Sequence, residues 1–226
     1  MADLLFRQNF FKNRLVVDFS RSLTTLRNNN LRDVLDSNRA WANSYKLREA
    51  KFFPKLAMSQ KPKIFWIGCA DSRVPPEMIS QLGFGQLFIH RNIANQFKKE
   101  DQSCESTLEY AVHYLKVEHV IVCGHTRCGG IEHAFNENLL PYLKDWVKPI
   151  QDVYKVHKDK FKGVSHKEEF NRILVKLNVG EQIRKIAETD VVKAAWAANQ
   201  PLAIHGWVYH LESGTLEDLK ITIDEA

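Results

Sequence analysis

Apolar and polar positions alternate so as to divide the chain into short buried runs and longer amphipathic ones. Two runs stand out, Lys63-Ile-Phe-Trp-Ile-Gly-Cys-Ala-Asp-Ser-Arg-Val-Pro-Pro76 and Val120-Ile-Val-Cys-Gly-His-Thr-Arg-Cys-Gly-Gly130. Each opens as an unbroken Ile-, Val- or Phe-rich stretch and ends in turn residues, which reads as a buried strand. Gln86–His90 reads as a further strand, with Arg91–Asn95 as the turn leaving it. Leu202–Tyr209 and Leu216–Ile223 read as a β-hairpin across Glu212-Ser-Gly-Thr215. Helices are predicted before and between these strands. Leu31, Val34, Leu35, Trp41 and Tyr45 share one face of the first, with asparagines upstream to cap it and an end before Pro54. Phe52–Lys63 is then a connection. Pro75-Pro76 leads into a short helix over Glu77–Leu82, stopped by Gly83 and Gly85. After a polar loop over Gln96–Glu105, Ser103 or Ser106 caps a helix with Leu108, Ala111, Val112 and Leu115 inward. From Gly129 to Gln200 the pattern is helical and charged, with breaks at Pro141, Pro149, Gly163 and Gly180. The order strand, helix, strand implies right-handed parallel crossovers. The predicted fold is therefore α/β, a mostly parallel central sheet flanked by helices, with the C-terminal β-hairpin adding edge strands.

Composition narrows the class. The chain has 226 residues, 44% hydrophobic and 26% charged, as in ordinary globular proteins. No apolar stretch approaches the roughly 20 residues of a membrane span. The net charge of +5 is carried by lysines interleaved with acids, which reads as solvated helix faces and not as a nucleic-acid track. Four cysteines without a secretory signal make no disulfide framework and favour metal binding in a reducing compartment. Cys123, inside an apolar run, is expected to be a small buried hydrophobe, and Cys104 falls in a polar loop without a role. Residues 1–30 differ: Leu4, Phe11, Leu15, Phe19, Leu23 and Leu26 recur near helical spacing among arginines and serines, with few acids. Such a start is similar to a mitochondrial presequence, or it is an arm that docks on a subunit or a frayed tail. The expected compartment is accordingly the mitochondrial matrix or the cytoplasm, not the exterior.

The candidate chemistry lies where the two leading strands end. In one parallel sheet Cys69, His125 and Cys128 emerge at the carboxyl edge, where open α/β sheets place ligands. Two thiolates and an imidazole are a zinc set, and three protein ligands leave a fourth position open, as in catalytic sites. Gly68, Ala70, Gly124, Gly129 and Gly130 allow close backbone approach there. Asp71 and Arg73 alternate with Cys69 and so can share its face. An aspartate beside a cation is ionised and can accept a hydrogen bond from zinc-bound hydroxide. That matters because two thiolates neutralise the dication, and its water is less acidified than on three histidines.

These residues resemble a known family. Cys69-Ala-Asp-Ser-Arg73 and His125-Thr-Arg-Cys-Gly-Gly130 look like the two signatures of the β-class carbonic anhydrases. The similarity runs from about Leu31 to the end and takes in His90-Arg-Asn-Ile-Ala-Asn95, Glu109-Tyr-Ala-Val112, Leu177-Asn-Val179 and Gly206-Trp-Val-Tyr209. It implies a catalytic domain over 31–226 and an extension over 1–30. It also implies one zinc per subunit, and reversible hydration of carbon dioxide to bicarbonate and a proton by zinc-bound hydroxide. The assembly it implies is a homodimer, in some members a tetramer. Position by position, Cys69, His125 and Cys128 resemble the ligands and Asp71 with Arg73 the catalytic dyad. Gln60 matches a substrate-contacting glutamine at the subunit boundary. Phe88, Ile93 and Tyr110 match the small apolar pocket, which Gly129 adjoins. Trp66, Arg91 and Tyr209 match a trio that binds a non-substrate bicarbonate in one subgroup, where the aspartate can swing onto zinc. His113, His119 and His133 are candidate proton relays or plain surface histidines. Two rivals remain at this level: a hydrolase of carbonyl sulfide or carbon disulfide, and a non-enzymatic zinc-stabilised scaffold.

Overall fold

A computed structural model describes residues 31–99 and 101–224. The expectations for residues 1–30, and the asparagine cap of the first helix, lie outside the described residues. Those described fall into two compact units, one ending at Met58 and one beginning at Ser59. In the first, α1 (Leu31–Arg48) and α2 (Phe52–Met58) bury no residue fully. Their aromatic rings meet one another instead: Trp41 lies 5.0 Å from Tyr45 and 5.8 Å from Phe53, and Tyr45 lies 4.8 Å from Phe52. α2 replaces part of the expected connection. Pro54 sits in its first turn, where a missing N–H leaves no helical hydrogen bond unmade.

The second unit is built on a five-stranded sheet, β1 (Ile64–Cys69), β2 (Leu87–Asn92), β3 (His119–His125), β4 (Ala203–His210) and β5 (Thr215–Ile223), in the order β2-β1-β3-β4-β5. All neighbours are parallel except β4 and β5. The hairpin is present, with Gly214 at φ 70° in its turn, and β5 supplies the edge while β4 is interior. β2 continues through Arg91 and Asn92, expected to be turn residues, because both stay in register with Gly68 and Cys69.

Two helix boundaries differ from those expected. α3 (Pro76–Ser80) opens on its proline and ends early on Gln81 at φ 58°, so a left-handed glutamine, not a glycine, stops it. α4 (Gln102–Glu109) starts before either serine, since Asp101 accepts from the Ser103 and Cys104 amides. That places Cys104 in a helix and buries it completely. A π-turn over Tyr110–Tyr114 then leads to β3. The rest comprises α5 (Gly129–Glu132), α6 (Pro141–Val156), α7 (Lys167–Ala187) and α8 (Asp190–Ala197). Of the four predicted breaks, Gly163 at φ 80° interrupts the helices. Pro141 opens α6, while Pro149 and Gly180 lie inside helices. Burial of Val147, Ile150 and Val153, and of Val179 and Ile183 in α7, outweighs the local cost, about 1 kcal/mol for a helical glycine.

The two faces of the sheet are unlike. Phe65, Ile67, Cys69, Val120, Val122, Ile204 and Val208 face the main core, where α7 supplies Leu174, Val175, Val179 and Ile183. The opposite face carries a small cluster of Trp66, Ile121 and Cys123 with Trp207, Tyr209 and Ile79, and Cys123 is the buried hydrophobe expected. No described helix is long and apolar enough to cross a membrane.

Candidate metal centre

Parallel pairing of β1 with β3 brings their carboxyl ends together, and each strand ends in a ligand-type residue, Cys69 and His125. Cys128 follows one tight turn later as the residue that caps α5, with Arg127 at φ 53° making the turn. All three are buried, and their donor atoms lie within 4.8 Å of one another. The sulfurs are 3.9 Å apart, close to the roughly 3.8 Å that two thiolates span on a tetrahedral zinc with Zn–S bonds of about 2.3 Å. His125 Nδ1 lies 2.8 Å from the Thr126 carbonyl. A carbonyl only accepts, so Nδ1 carries the proton and Nε2 presents a lone pair. That Nε2 is buried without a hydrogen-bond partner. An orphaned imidazole nitrogen facing two sulfurs fits a zinc ion.

The thiols respond to each other. Hydrogen bonding from Cys128 pulls the Cys69 thiol far down, while the same contact and burial push Cys128 up. A bound dication would favour the thiolate form of both.

Asp71 and Arg73 form the expected pair. Asp71 Oδ1 accepts from the Arg73 amide and Nε, both at 2.9 Å, and Oδ2 accepts from Nη2 at 2.7 Å. These bonds hold the Asp71 carboxyl down at about 2. Oδ2 stands 3.9 Å from His125 Nε2, so the carboxylate borders the ligand set, with Oδ1 accepting twice from Arg73 and Oδ2 once, which leaves Oδ2 one lone pair. Arg91 donates to the carbonyls of Cys69 at 2.7 Å and Asp71 at 2.6 Å, locking the backbone between ligand and dyad.

Two further supports were not foreseen. The turn Ile93–Asn95 sends the Ala94 amide to Cys69 Sγ at 3.4 Å. Ala94 and Asn95 adopt φ 61° and 48°, a conformation that costs of order 1–3 kcal/mol for a residue such as alanine. A buried amide network holds it: Asn178 Nδ2 and Gln96 Nε2 both donate to the Ala94 carbonyl, and Gln96 and Gln182 both donate to Asn178 Oδ1. The available signal was polar Asn178 and Gln182, four residues apart on an otherwise apolar helix face. Gly130 lets this turn approach, because a Cβ there would sit 2.7 Å from Ile93 Cγ2 and 2.9 Å from Ala94 Cβ. Gly129 differs: a Cβ would meet nothing within 4 Å, so it borders open space and not a close contact.

The second support is Glu212, from the hairpin turn. It accepts from Thr126 Oγ1 at 2.7 Å and from Arg127 Nε at 3.0 Å. Thr126 Oγ1 in turn accepts the Leu211 amide at 3.0 Å, and the Arg127 carbonyl accepts from Arg73 Nη2 at 3.1 Å. Thus one carboxylate clamps the loop that joins His125 to Cys128 and ties it to the dyad.

Of the remaining expected residues, Phe88 stacks on Tyr110 with ring centroids 5.7 Å apart, and Ile93 abuts Gly130 beside the ligand loop. Ile93 and Tyr110 are both partly open to solvent, 42% and 45%. Gln60 is exposed, on the connection before β1. Trp66 and Tyr209 belong to the second-face cluster, and Arg91 emerges on that face opposite Gly68. His119 opens β3 while His125 ends it, about 20 Å away along a strand, so His119 is no relay for this centre.

Fold and donor set together define a zinc-type metalloenzyme on a mostly parallel α/β sheet. The carbonic anhydrase family profile matches residues 64–216. A carbonic anhydrase of Emericella nidulans is 44% identical over 189 residues, covering 83% of this chain and 82% of that one. The carbonic anhydrase of Saccharomyces cerevisiae is 33% identical over 207 residues, covering 88% and 93%. Among solved structures, a Coccomyxa β-carbonic anhydrase superposes with a TM-score of 0.82 at 34% identity, covering 87% of this chain and 89% of that one. The chain belongs to the carbonic anhydrase family, in its β class.

Proposed function

We infer that this chain catalyses the reversible hydration of carbon dioxide to bicarbonate and a proton, with Cys69, His125 and Cys128 holding zinc. The observation that carries the reading is the orphaned Nε2 of buried His125, facing two sulfurs and bordered by the Asp71–Arg73 pair. When bound, zinc supplies a Lewis acid that brings the pKa of a water in its open position toward neutrality. Asp71, ionised down to about pH 2, can only accept a hydrogen bond. It would therefore accept a hydrogen bond from the oxygen nucleophile held at the open position, without taking its proton, and so turn an oxygen lone pair toward the carbon of carbon dioxide. Arg73 keeps that carboxylate aimed and charged. Phe88, Ile93, Tyr110 and the open space at Gly129 suit a small apolar gas, and Gln60 supplies a polar contact to its oxygen from across a subunit boundary. The proton leaves to buffer; His113 and His133 are exposed surface histidines. In a stopped-flow assay of the zinc-loaded protein, Asp71→Asn is expected to retain stoichiometric zinc and lose rate by about 10²-fold. Full activity with zinc retained would overturn the role of Asp71.

The assembly proposed is a homodimer, paired into a tetramer. Supporting it are the helices α1 and α2, whose aromatic residues find no full burial within their own unit, and the likeness to a tetrameric β-carbonic anhydrase of Sordaria macrospora, 34% identical with a TM-score of 0.82. Residues 1–30 are taken as an extension to a catalytic region over 31–226, and the compartment as mitochondrial matrix or cytoplasm. Determining the mature N-terminus of native material decides both.

Bicarbonate regulation through Trp66, Arg91 and Tyr209 belongs to the same proposal. Arg91 holds the backbone of Cys69 and Asp71, so an anion that draws its guanidinium away acts on the dyad. Loss of bicarbonate inhibition in Trp66→Ala is the expected result. An unchanged inhibition curve removes the idea.

A further inference from the structure

At the amino ends of β3 and β4 lies a second meeting of ring nitrogens. His119 and His205 both project from the sheet face opposite the main core, in the register that pairs His119 with Ala203 and Ile121 with His205. His119 Nδ1 lies 3.1 Å from His205 Nε2, and the ring centroids are 5.2 Å apart. Two imidazoles ligating one tetrahedral ion, with metal–nitrogen bonds of about 2.0–2.1 Å, place their nitrogens roughly 3.3 Å apart. The other nitrogen of His205 is 3.1 Å from Thr222 Oγ1 on β5. That contact supplies the outer hydrogen bond that orients a metal-binding imidazole: with Nδ1–H donated to the hydroxyl, the Nε2 lone pair points at His119.

We propose that His119 and His205 form a second metal site, separate from the catalytic zinc, for a divalent first-row transition ion. Its electrostatic setting agrees. Burial holds the His205 imidazole below its ordinary value, with His119 pushing the same way, so it is neutral and able to ligate near pH 7. Asp218 and Asp224 lie close enough to act on its charge, and Glu118 is close enough to feel His119. These carboxylates favour a cation that two neutral rings alone would hold weakly. His119 is exposed and lines a surface groove of about 740 Å³ that also includes Glu118 and Asp224, which opens the pair to solvent on its His119 side. The length of β3 separates this pair from His125, about 20 Å at the rise of a strand, so an ion here touches neither the dyad nor the catalytic ligands.

The test uses the untagged, zinc-loaded full chain titrated with Ni²⁺ by calorimetry, with bound zinc measured before and after. One Ni²⁺ per chain, taken up without loss of zinc, is the expected result. His119→Ala and His205→Gln should each weaken that uptake by roughly ten-fold or more. His210→Ala, whose ring is 2.7 Å from Glu217, should leave it unchanged. The proposal is overturned if no Ni²⁺ binds, as for two rings joined only by a shared proton. It is equally overturned if nickel enters mole for mole with departing zinc, or if uptake survives both substitutions. Retained zinc and circular dichroism identify any variant that misfolds, and His119, being exposed, provides the milder of the two.

Discussion

The two ends of β3 carry histidines in opposite circumstances. At the carboxyl end His125 is buried to 1% exposure, its outer nitrogen committed to the Thr126 carbonyl and its inner one left facing two sulfurs. At the amino end His119 is exposed and its nitrogen is met by another ring. Burial without a partner costs free energy unless a ligand arrives, so the carboxyl end is built around an ion. The amino end is stable without one. The lesson is that strand polarity places chemistry, but the surrounding shell decides whether a cluster demands a metal or only admits one.

The largest effect is expected from the ligands. Cys69→Ser or Cys128→Ser replaces a thiolate by a hydroxyl that does not ionise near neutrality, and should abolish stoichiometric zinc and hydration activity together. Metal content of the purified variant checks this. Retained zinc would mean that the ion is held elsewhere, and the contrast between the two ends would fall.

Next come the groups that hold the ligands. Asn178→Leu strips the Ala94 carbonyl and the Gln96 and Gln182 amides of a buried partner. Unmade buried hydrogen bonds cost about 1–3 kcal/mol each, and release of the strained Ala94 turn withdraws an amide from Cys69. Unfolding by denaturant should show the stability loss. Zinc competition with a chelator should show affinity lower by about 10–100-fold. Gly130→Ala attacks the same turn by overpacking, at a cost of about 1–3 kcal/mol.

This layer is also where the sequence falls silent. The ligands and Asp71 are legible because strand ends and short spacings are local: a buried run that stops at Cys69 or His125 announces its own edge. The parallel sheet and hairpin follow from the same runs. The Ala94 turn depends on Gln96, Asn178 and Gln182, which meet only after α7 docks, and Glu212 reaches Thr126 from a hairpin far along the chain. Helix ends failed for a related reason. Asp101 outcompeted the two serines as a cap, and burial carried α6 through Pro149, where a local rule reads a stop. Pairing in register kept Arg91 and Asn92 in β2 although their side chains are those of a turn.

Glu212→Gln tests the clamp with a pH signature. Hydrogen bonding from Thr126, aided by Arg127, holds the Glu212 carboxyl at about 2 against an ordinary 4.5. A depressed pKa stabilises the folded state fully above the unfolded value, and the contribution fades as pH falls toward the folded value. The midpoint difference between parent and variant should therefore be constant above about pH 5 and close between 4.5 and 2. A difference independent of pH would assign the effect to packing alone. Zinc release to a chelator should be faster in the variant, because the His125–Cys128 loop loses its anchor.

The smallest effect is expected at the amino end, and it is informative because it is small. His205→Gln removes a half-buried ring from the side of the sheet that α7 does not cover, leaving Thr222 free to bond water. Substitutions of this kind change stability by about 0.5 kcal/mol. Hydration rate and zinc content should match the parent, since β3 insulates the catalytic ligands from its first residue. If the rate instead falls with zinc retained, the two ends are coupled through the strand. Trp66, Ile121 and Trp207, which line the second face between them, would then be the path to dissect by double-mutant cycles.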